Sequence, residues 1–157
     1  MKTLAAQQGT SEWIALRSEH YRTASRASAM MGASPYQSRQ QLLAEIHRGF
    51  ADEVDENTQR LFDRGHAIEE VARPAAEKII GEELFPVTGL SADGYLLASF
   101  DGLTMLGDVV WECKTYSQAK AEEMAATGHV PISDAWQVVQ QLVVSGATKC
   151  LYMLHDG

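Results

Sequence analysis

The pattern that most constrains the fold is a long amphipathic stretch, TQRLFDRGHAIEEVARPAAEKIIG, at residues 58–81. Its apolar spacing predicts a helix that stops at Gly81, and Pro74 inside it removes a backbone donor and predicts a kink. Strand patterns follow it directly: EELFPVTGL, YLLASF and a strand over 108–114. A long helix followed by strands predicts an α/β or α+β domain, with a small mixed central sheet flanked by helices.

Further elements flank this centre. Three shorter helices are expected before it: over 11–20, from Thr23 or Ser25 to Gly32, and over 39–49, with a loop over 51–58. After it we expect a helix ending at Gly128, a helix from Pro131 and Ser133 or Asp134 to Gly146, and a last strand in TKCLYMLHDG. Because a turn signal follows that strand at once, we expect the sequence to be a segment of a longer protein.

Composition limits the cellular setting. A chain of 157 residues with 45% apolar content supports one domain with a real core. No apolar run approaches the roughly 18 residues that a membrane span needs. Cys113 and Cys150 lie in apolar, strand-like runs, which predicts free core thiols and a reducing cytoplasm.

Charge is distributed unevenly along the chain. The net charge of −8 argues against simple electrostatic adhesion to nucleic acid. Residues 1–48 carry six basic and three acidic side chains, a net of +3, so the remainder carries −11. This asymmetry suits an anion site beside a cation site, and it equally suits a chance distribution on a solvated surface.

The segment VVWECK, residues 109–114, predicts a chemical site. Side chains alternate along a strand, so Glu112 and Lys114 share one face while Trp111 and Cys113 face the core. In a hairpin, Asp101 at the end of the preceding strand falls near Glu112. Two carboxylates repel each other in a poorly solvated place, and a divalent cation such as Mg²⁺ or Mn²⁺ reverses that repulsion. Lys114 would then orient or help to deprotonate an attacking water.

A plainer interpretation fits the same residues. Asp101-Gly102 is also an ordinary turn dipeptide, and Glu112 with Lys114 is also an ordinary solvated ion pair. A further carboxylate on the long helix favours the metal site. Glu69 and its neighbour Glu70 cannot share one helix face, so one of them can point toward the sheet while the other is solvated. Glu69 borders the apolar stripe, and a carboxylate at such an edge needs a partner. That stripe is expected to comprise Ile68, Ala72 and Ile79.

These motifs, taken in order, resemble the phage lambda-type exonucleases, the YqaJ-like viral recombinase family within the PD-(D/E)xK nucleases. The opening SEWIALRSEHYRTASRASAMMG has the family's Trp, Arg and Thr-Ala-Ser ahead of a Gly. RGHAIEEVAR resembles its Gly-x-x-x-Glu helix, LASFDG and VVWECK its catalytic strands, and WQVVQQLVVSGA its glutamine helix. Each motif alone is weak, whereas the ordered set is specific.

The resemblance implies a role for each matching residue. Glu69, Asp101 and Glu112 would bind the metal, Mg²⁺ or Mn²⁺, and Lys114 would be the catalytic lysine, supported by Gln137. Arg17 and Ser25 would hold the 5′-phosphate of a DNA end, assisted by Ser99 on the first catalytic strand. The PD-(D/E)xK fold would span 1–157 as a single nuclease domain, with a helical basic part over 1–48 and the catalytic core over 58–157.

The implied activity is metal-dependent 5′-to-3′ hydrolysis from 5′-phosphorylated ends of double-stranded DNA, leaving 3′ single-stranded tails for phage-type recombination. Implied partners are DNA ends, a single-strand annealing protein and further copies in a ring-shaped trimer, in the cytoplasm of a bacterial host. Phe100 and Val139 depart from the family's usual Pro and second Gln, and the family's C-terminal region is missing, which leaves ring assembly open. A restriction-like or repair endonuclease of the same fold, and a non-catalytic DNA-end-binding module, remain alternatives.

Overall fold

The structure, a computed structural model, describes residues 1–6, 8–19, 22–49 and 56–157. Its helices are α1 Ser11–Glu19, α2 Ala24–Met30, α3 Arg39–Arg48, α4 Glu56–Ile80, α5 Gln118–Thr127 and α6 Ile132–Ser145. Its strands are β1 Lys2–Leu4, β2 Phe85–Leu90, β3 Leu97–Leu103, β4 Val109–Thr115 and β5 Lys149–His155. The mixed sheet flanked by helices that the sequence predicts is therefore confirmed.

The five strands form one sheet in the order β1-β2-β3-β4-β5, antiparallel except for the parallel pair β4 and β5. The parallel pair follows from the helical crossover through α5 and α6, which returns the chain to the same end of the sheet. β1, which no sequence pattern predicted, is a three-residue strand at the sheet edge that pairs with β2.

The sheet is covered on both faces. On one face, Ile68, Ala72 and Ala76 of α4 pack against Trp111 and Cys113 of β4. On the other, α2 and α6 cover a second cluster, whose buried members are Ala24, Ala98, Phe100, Leu103, Val110, Val144 and Ala147. The expected alternation along β4 is therefore confirmed, and its two faces meet different helices.

Several local expectations need correction or refinement. α4 starts at Glu56, inside the expected loop over 51–58, whose residues 51–55 lie outside the described part of the chain. α4 continues through Pro74. Ile79 is exposed, and Ala76 takes its place in the buried stripe because the positions i, i+4 and i+8 after Ile68 are the ones that face the sheet.

The two later helices, α5 and α6, are fixed by a C-terminal glycine and by polar contacts. α6 ends at Gly146, whose φ of 78° lies in the left-handed region as the sequence predicts. α5 contains no buried residue. It is tied to the body by Lys120 Nζ, 2.6 Å from Asp134 Oδ2, and by Glu123 Oε1, which accepts from the Ile132 N–H at 2.8 Å. Tyr152 Oη also donates to Asp134 Oδ2, so this buried carboxylate joins α5, α6 and β5.

A β-bulge interrupts β3 next to Asp101. Phe85 pairs with Leu103 and Val87 pairs with Phe100, so three steps along β3 match two along β2. As a result, Phe100 and Leu103 lie in the same cluster, although a regular strand would place them on opposite faces. No helix among the described residues is both long enough and apolar enough to cross a membrane.

The close packing of Gly102 at this bulge gives a first prediction. A Cβ there would lie 2.9 Å from Leu84 Cβ and 3.0 Å from Trp111 Cε3, so Gly102→Ala should destabilise the fold by about 1–3 kcal/mol. Gly65→Ala is the matched control, because a Cβ on this helical glycine meets no atom within 4 Å, and it should stabilise the fold by up to about 1 kcal/mol. Urea unfolding measures both, and a Gly102→Ala protein as stable as wild type would contradict the packing argument.

Candidate active site

The candidate site lies where β3 and β4 separate. Their register comprises Gly102 with Trp111 and Leu103 with Val110, and the strands diverge beyond it. Buried backbone groups that lose a ladder partner need another one. The Asp101 carboxylate takes over one such position, because its Oδ2 accepts from the Cys113 N–H at 2.8 Å.

Two neighbouring glutamines of α6 fill the gap between the diverging strands β3 and β4. Gln141 Nε2 donates to the Ser99 carbonyl at 3.0 Å, and Gln140 Nε2 donates to the carbonyls of Leu97 at 3.0 Å and Arg22 at 2.8 Å. Side chains thus stand where a neighbouring strand would otherwise be. The gap is consequently a polar notch inside an otherwise apolar sheet.

Glu112 projects into this notch, with its side chain only 1% exposed. Its Oε1 accepts from Gln137 Nε2 at 2.7 Å and lies 2.5 Å from Lys114 Nζ, while its Oε2 accepts from Gln141 Nε2 at 2.6 Å. A carboxylate buried to this degree requires such donors. The predicted shared face of Glu112 and Lys114 is confirmed by their contact.

Lys114 is held in the same network, with Nζ 3.0 Å from Gln137 Oε1. Burial alone would lower the pKa of this ammonium, but Glu112 and Asp101 outweigh it, so the pKa of Lys114 lies well above its ordinary value. In this arrangement the lysine stays protonated. A lysine in this state can donate to an anion and cannot accept a proton.

The burial and charges of the notch also raise the pKa of the other two predicted metal ligands, Asp101 and Glu69. Burial first, and then Glu112 and Glu69, raise the pKa of Asp101 well above its usual range. Burial also raises the pKa of Glu69, and Glu112 adds to that effect while His66 opposes it. Glu112 thus disfavours the charged form of both Asp101 and Glu69, and a cation bound among these carboxylates would offset that repulsion.

Whether these groups fit a metal depends on both chemistry and arrangement. Oxygen ligands suit Mg²⁺, which commonly takes only one or two carboxylates and keeps several waters. Among the side chains that the structure describes, no three or more His, Cys, Asp or Glu are arranged to hold one ion. The donor set therefore fits Mg²⁺ in chemistry, and the convergence of Glu69, Asp101 and Glu112 on a single ion stays a prediction.

α4 supports this site from the opposite face of the sheet. Arg73 Nη1 donates to the carbonyls of Asp101 at 2.9 Å and Leu84 at 3.1 Å, and its guanidinium lies over the Trp111 ring. Arg73 thereby fixes the bulge that carries Asp101. One turn earlier on α4, Glu69 lines a cleft of about 450 Å³ between α4, β2 and the N-terminal segment.

The residues predicted to bind a phosphate are also brought together. Arg17 Nη2 donates to Ser25 Oγ at 2.8 Å, and the Arg17 guanidinium lies 4.3 Å from the centroid of the Trp13 ring. Trp13 Nε1 in turn donates to Ser99 Oγ at 2.9 Å. Burial, and secondarily Arg26, lower the pKa of Arg17 to about 10, a combination that a bound anion would offset. The phosphate role itself stays a prediction.

Sequence reasoning missed four residues of the site and its supports: Trp13, Arg73, Gln140 and Gln141. Trp13 links Arg17 to Ser99, although the sequence suggested only a family motif. Gln140 and Gln141 close the gap between the strands. The four-residue spacing of Gln137 and Gln141 places both on one helix face, and that spacing was the available signal.

Cys113 and Cys150 are both free thiols, as predicted. Burial first, and then the nearby carboxylates, raise the pKa of each thiol to about 12. A thiol with such a raised pKa is neutral at physiological pH and is a poor nucleophile.

The repulsion at Asp101 gives a second prediction. Because its pKa is raised, the folded protein binds this proton more tightly than the unfolded chain, so stability is lost as pH rises from the ordinary Asp range through the raised pKa. Asp101→Asn keeps an acceptor for the Cys113 N–H without the charge. In EDTA at pH 7 it should be more stable than wild type by at least about 1 kcal/mol, with the difference vanishing near about pH 4.

Asp93→Asn is the control of opposite sign. Hydrogen bonds from Ser91 and Tyr95 lower the pKa of Asp93, so its neutralisation should reduce stability at pH 7. Thermal unfolding across pH measures both variants. A wild-type protein that is more stable than Asp101→Asn at pH 7 in EDTA would show that the carboxylates do not repel.

Comparisons with known proteins agree with this architecture. The family model of the YqaJ-like viral recombinase domain matches residues 12–148 of this sequence. The crystal structure of an alkaline exonuclease, LHK-Exo from Laribacter hongkongensis, has a TM-score of 0.69 to this chain at 24% sequence identity, over 92% of this chain and 73% of that chain. The structure of LHK-Exo in complex with dAMP gives the same values. At this identity the likeness establishes the fold, and no curated protein matches the sequence significantly.

Proposed function

Because the chain belongs to the YqaJ-like viral recombinase domain family, we propose that it is a metal-dependent exonuclease acting on double-stranded DNA. The observation that carries the proposal is the notch between β3 and β4. There Glu112 and Lys114 emerge from one strand opposite Asp101, in an environment that disfavours uncompensated carboxylates. Such a cluster suits phosphodiester hydrolysis better than it suits a purely structural role.

In the proposed reaction, Asp101, Glu112 and Glu69 hold Mg²⁺, or Mn²⁺ in its place. When bound, the cation activates water and stabilises negative charge on the phosphoryl group. Lys114, kept protonated by Glu112 and Asp101, donates to an oxygen of the scissile phosphate. Gln137 contacts both Glu112 and Lys114 and fixes their relative position.

The proposed polarity is 5′-to-3′. Arg17 and Ser25, with Ser99 held nearby through Trp13, form a cationic pocket for a terminal 5′-phosphate. An arginine paired with a hydroxyl offers several charge-assisted donors to a phosphate. Anchoring the 5′ end there would place the neighbouring phosphodiester at the notch, and successive cuts would leave 3′ single-stranded tails.

The same proposal extends to the biological setting. Tails of this kind serve phage-type recombination with a single-strand annealing protein, in the cytoplasm of a bacterial host whose phage or prophage encodes the chain. A ring-shaped trimer around the duplex would explain how a protein of net charge −8 stays on an anionic substrate.

A degradation assay tests the activity. With Mg²⁺, the protein should release mononucleotides from linear duplex DNA and leave covalently closed circles intact. Lys114→Met should lower the rate by about 10²-fold or more, because it removes the charged donor at the developing negative charge. Cutting of circles would instead favour an endonuclease, and binding without cutting would favour a DNA-end-binding module.

The polarity has its own prediction. Wild-type protein should degrade 5′-phosphorylated duplexes faster than 5′-hydroxyl duplexes, and Arg17→Ala should reduce that preference by about 10-fold or more, since a hydrogen bond to a charged group contributes about 1.5–3 kcal/mol. Arg39→Ala, on the exposed start of α3, is a control of the same charge change and should leave the preference unchanged. An Arg17→Ala enzyme with the wild-type preference would contradict the pocket.

A further inference from the structure

Gln141 is the most deeply buried polar side chain beside the site, at 0% exposure. Its Nε2 bridges two acceptors, Glu112 Oε2 at 2.6 Å and the Ser99 carbonyl at 3.0 Å. Because both partners accept, the nitrogen must face them, and this defines which way the amide points.

The amide oxygen of Gln141 supports a dedicated role. Within the described part of the chain, Oε1 is a buried polar atom without a hydrogen-bond partner. Burying an unsatisfied oxygen is unfavourable, and an apolar residue of similar size would avoid that cost at this position. The sequence therefore retains an amide here for what its nitrogen contacts.

Gln141 differs in this respect from the two other glutamines of α6. Gln137 is half-buried, and its amide bonds the side chains of Glu112 and Lys114. The Gln140 amide donates to the backbone carbonyls of Arg22 and Leu97. Gln141 alone of the three joins the Glu112 carboxylate to the backbone of β3, and Ser99 lies on that strand two residues before Asp101.

We infer that Gln141 is a positioning residue that fixes the Glu112 carboxylate relative to β3, and that it thereby sets the affinity of the site for a divalent cation. The inference rests on the proposed function only for the presence of a cation at Glu112. Gln141 would not touch the cation or the DNA itself. It would hold one carboxylate at a constant distance from the strand that carries the other.

Direct metal binding tests this inference without relying on turnover. Mn²⁺ titrated into the protein without DNA, and followed by the electron paramagnetic resonance of free Mn²⁺, gives a dissociation constant. Gln141→Met removes the nitrogen while keeping the bulk, and it should weaken Mn²⁺ binding by about 10–100-fold, the usual effect of losing a group that orients a metal ligand. The Mg²⁺ concentration giving half-maximal DNA degradation should rise in parallel.

Val144→Ala controls for a general loss of stability. Val144 lies one turn further along α6 and is 2% exposed in the apolar cluster, away from the polar notch. It should leave the Mn²⁺ dissociation constant within about 2-fold of wild type, whereas destabilisation alone would weaken binding in both variants. If Gln141→Met does not fold, Gln141→Asn provides the test, because its shorter amide cannot reach both acceptors and should also weaken binding.

The outcomes separate this inference from the proposed function. Gln141 variants that bind Mn²⁺ like wild type, in a protein that degrades DNA, would overturn the positioning role and leave the nuclease intact. Weakened Mn²⁺ binding in a protein that never degrades DNA would support the positioning role and refute the nuclease. A wild-type protein that binds no Mn²⁺ would overturn both proposals. Val144→Ala weakening Mn²⁺ binding as much as Gln141→Met does would overturn the positioning role alone.

Discussion

The separation of β3 from β4 is the constraint on which the rest of this molecule depends. Two strands that part inside a covered sheet expose N–H and C=O groups that must find other partners. Here the partners are the Asp101 carboxylate and the amides of Gln140 and Gln141. The groups that repair the sheet therefore also line the notch. The same few side chains complete the sheet and line the candidate site, which explains why α6 carries polar residues on its buried face.

The electrostatics of the notch follow from that geometry. The bulge braced by Arg73 directs Asp101 toward β4, where Glu112 is already buried. Burial and like charge raise the pKa of Asp101, while Lys114 and the glutamines offset part of the repulsion. The fold thus holds anionic groups close together at some cost to its own stability, a pattern typical of sites whose stabilising partner is a substrate or an ion.

Sequence reasoning identified the architecture because its strongest signals are local. The alternation of Trp111 and Glu112 predicted two faces, and the glycine that ends α6 was visible in the sequence. The bulge at Asp101 and Gly102 could not be predicted from the sequence, because it is defined by the pairing with β2 and not by residue type. β1 escaped because three residues carry too little periodicity, and its partner lies far along the chain. The Trp13–Ser99 contact escaped for the same reason, since no local pattern encodes a bond across 86 residues.

The way α5 is attached has a consequence for the molecule as a whole. This helix follows the strand that carries Lys114, yet it contributes nothing to either apolar cluster, and polar contacts at Lys120 and Glu123 tie it down. We therefore expect local opening of α5 to cost less than global unfolding, so that its amide protons would exchange with solvent while the sheet stays intact. Changes in the length or the exposed residues of α5 should therefore be tolerated better than changes in the notch, provided that Lys120 and Glu123 keep their contacts.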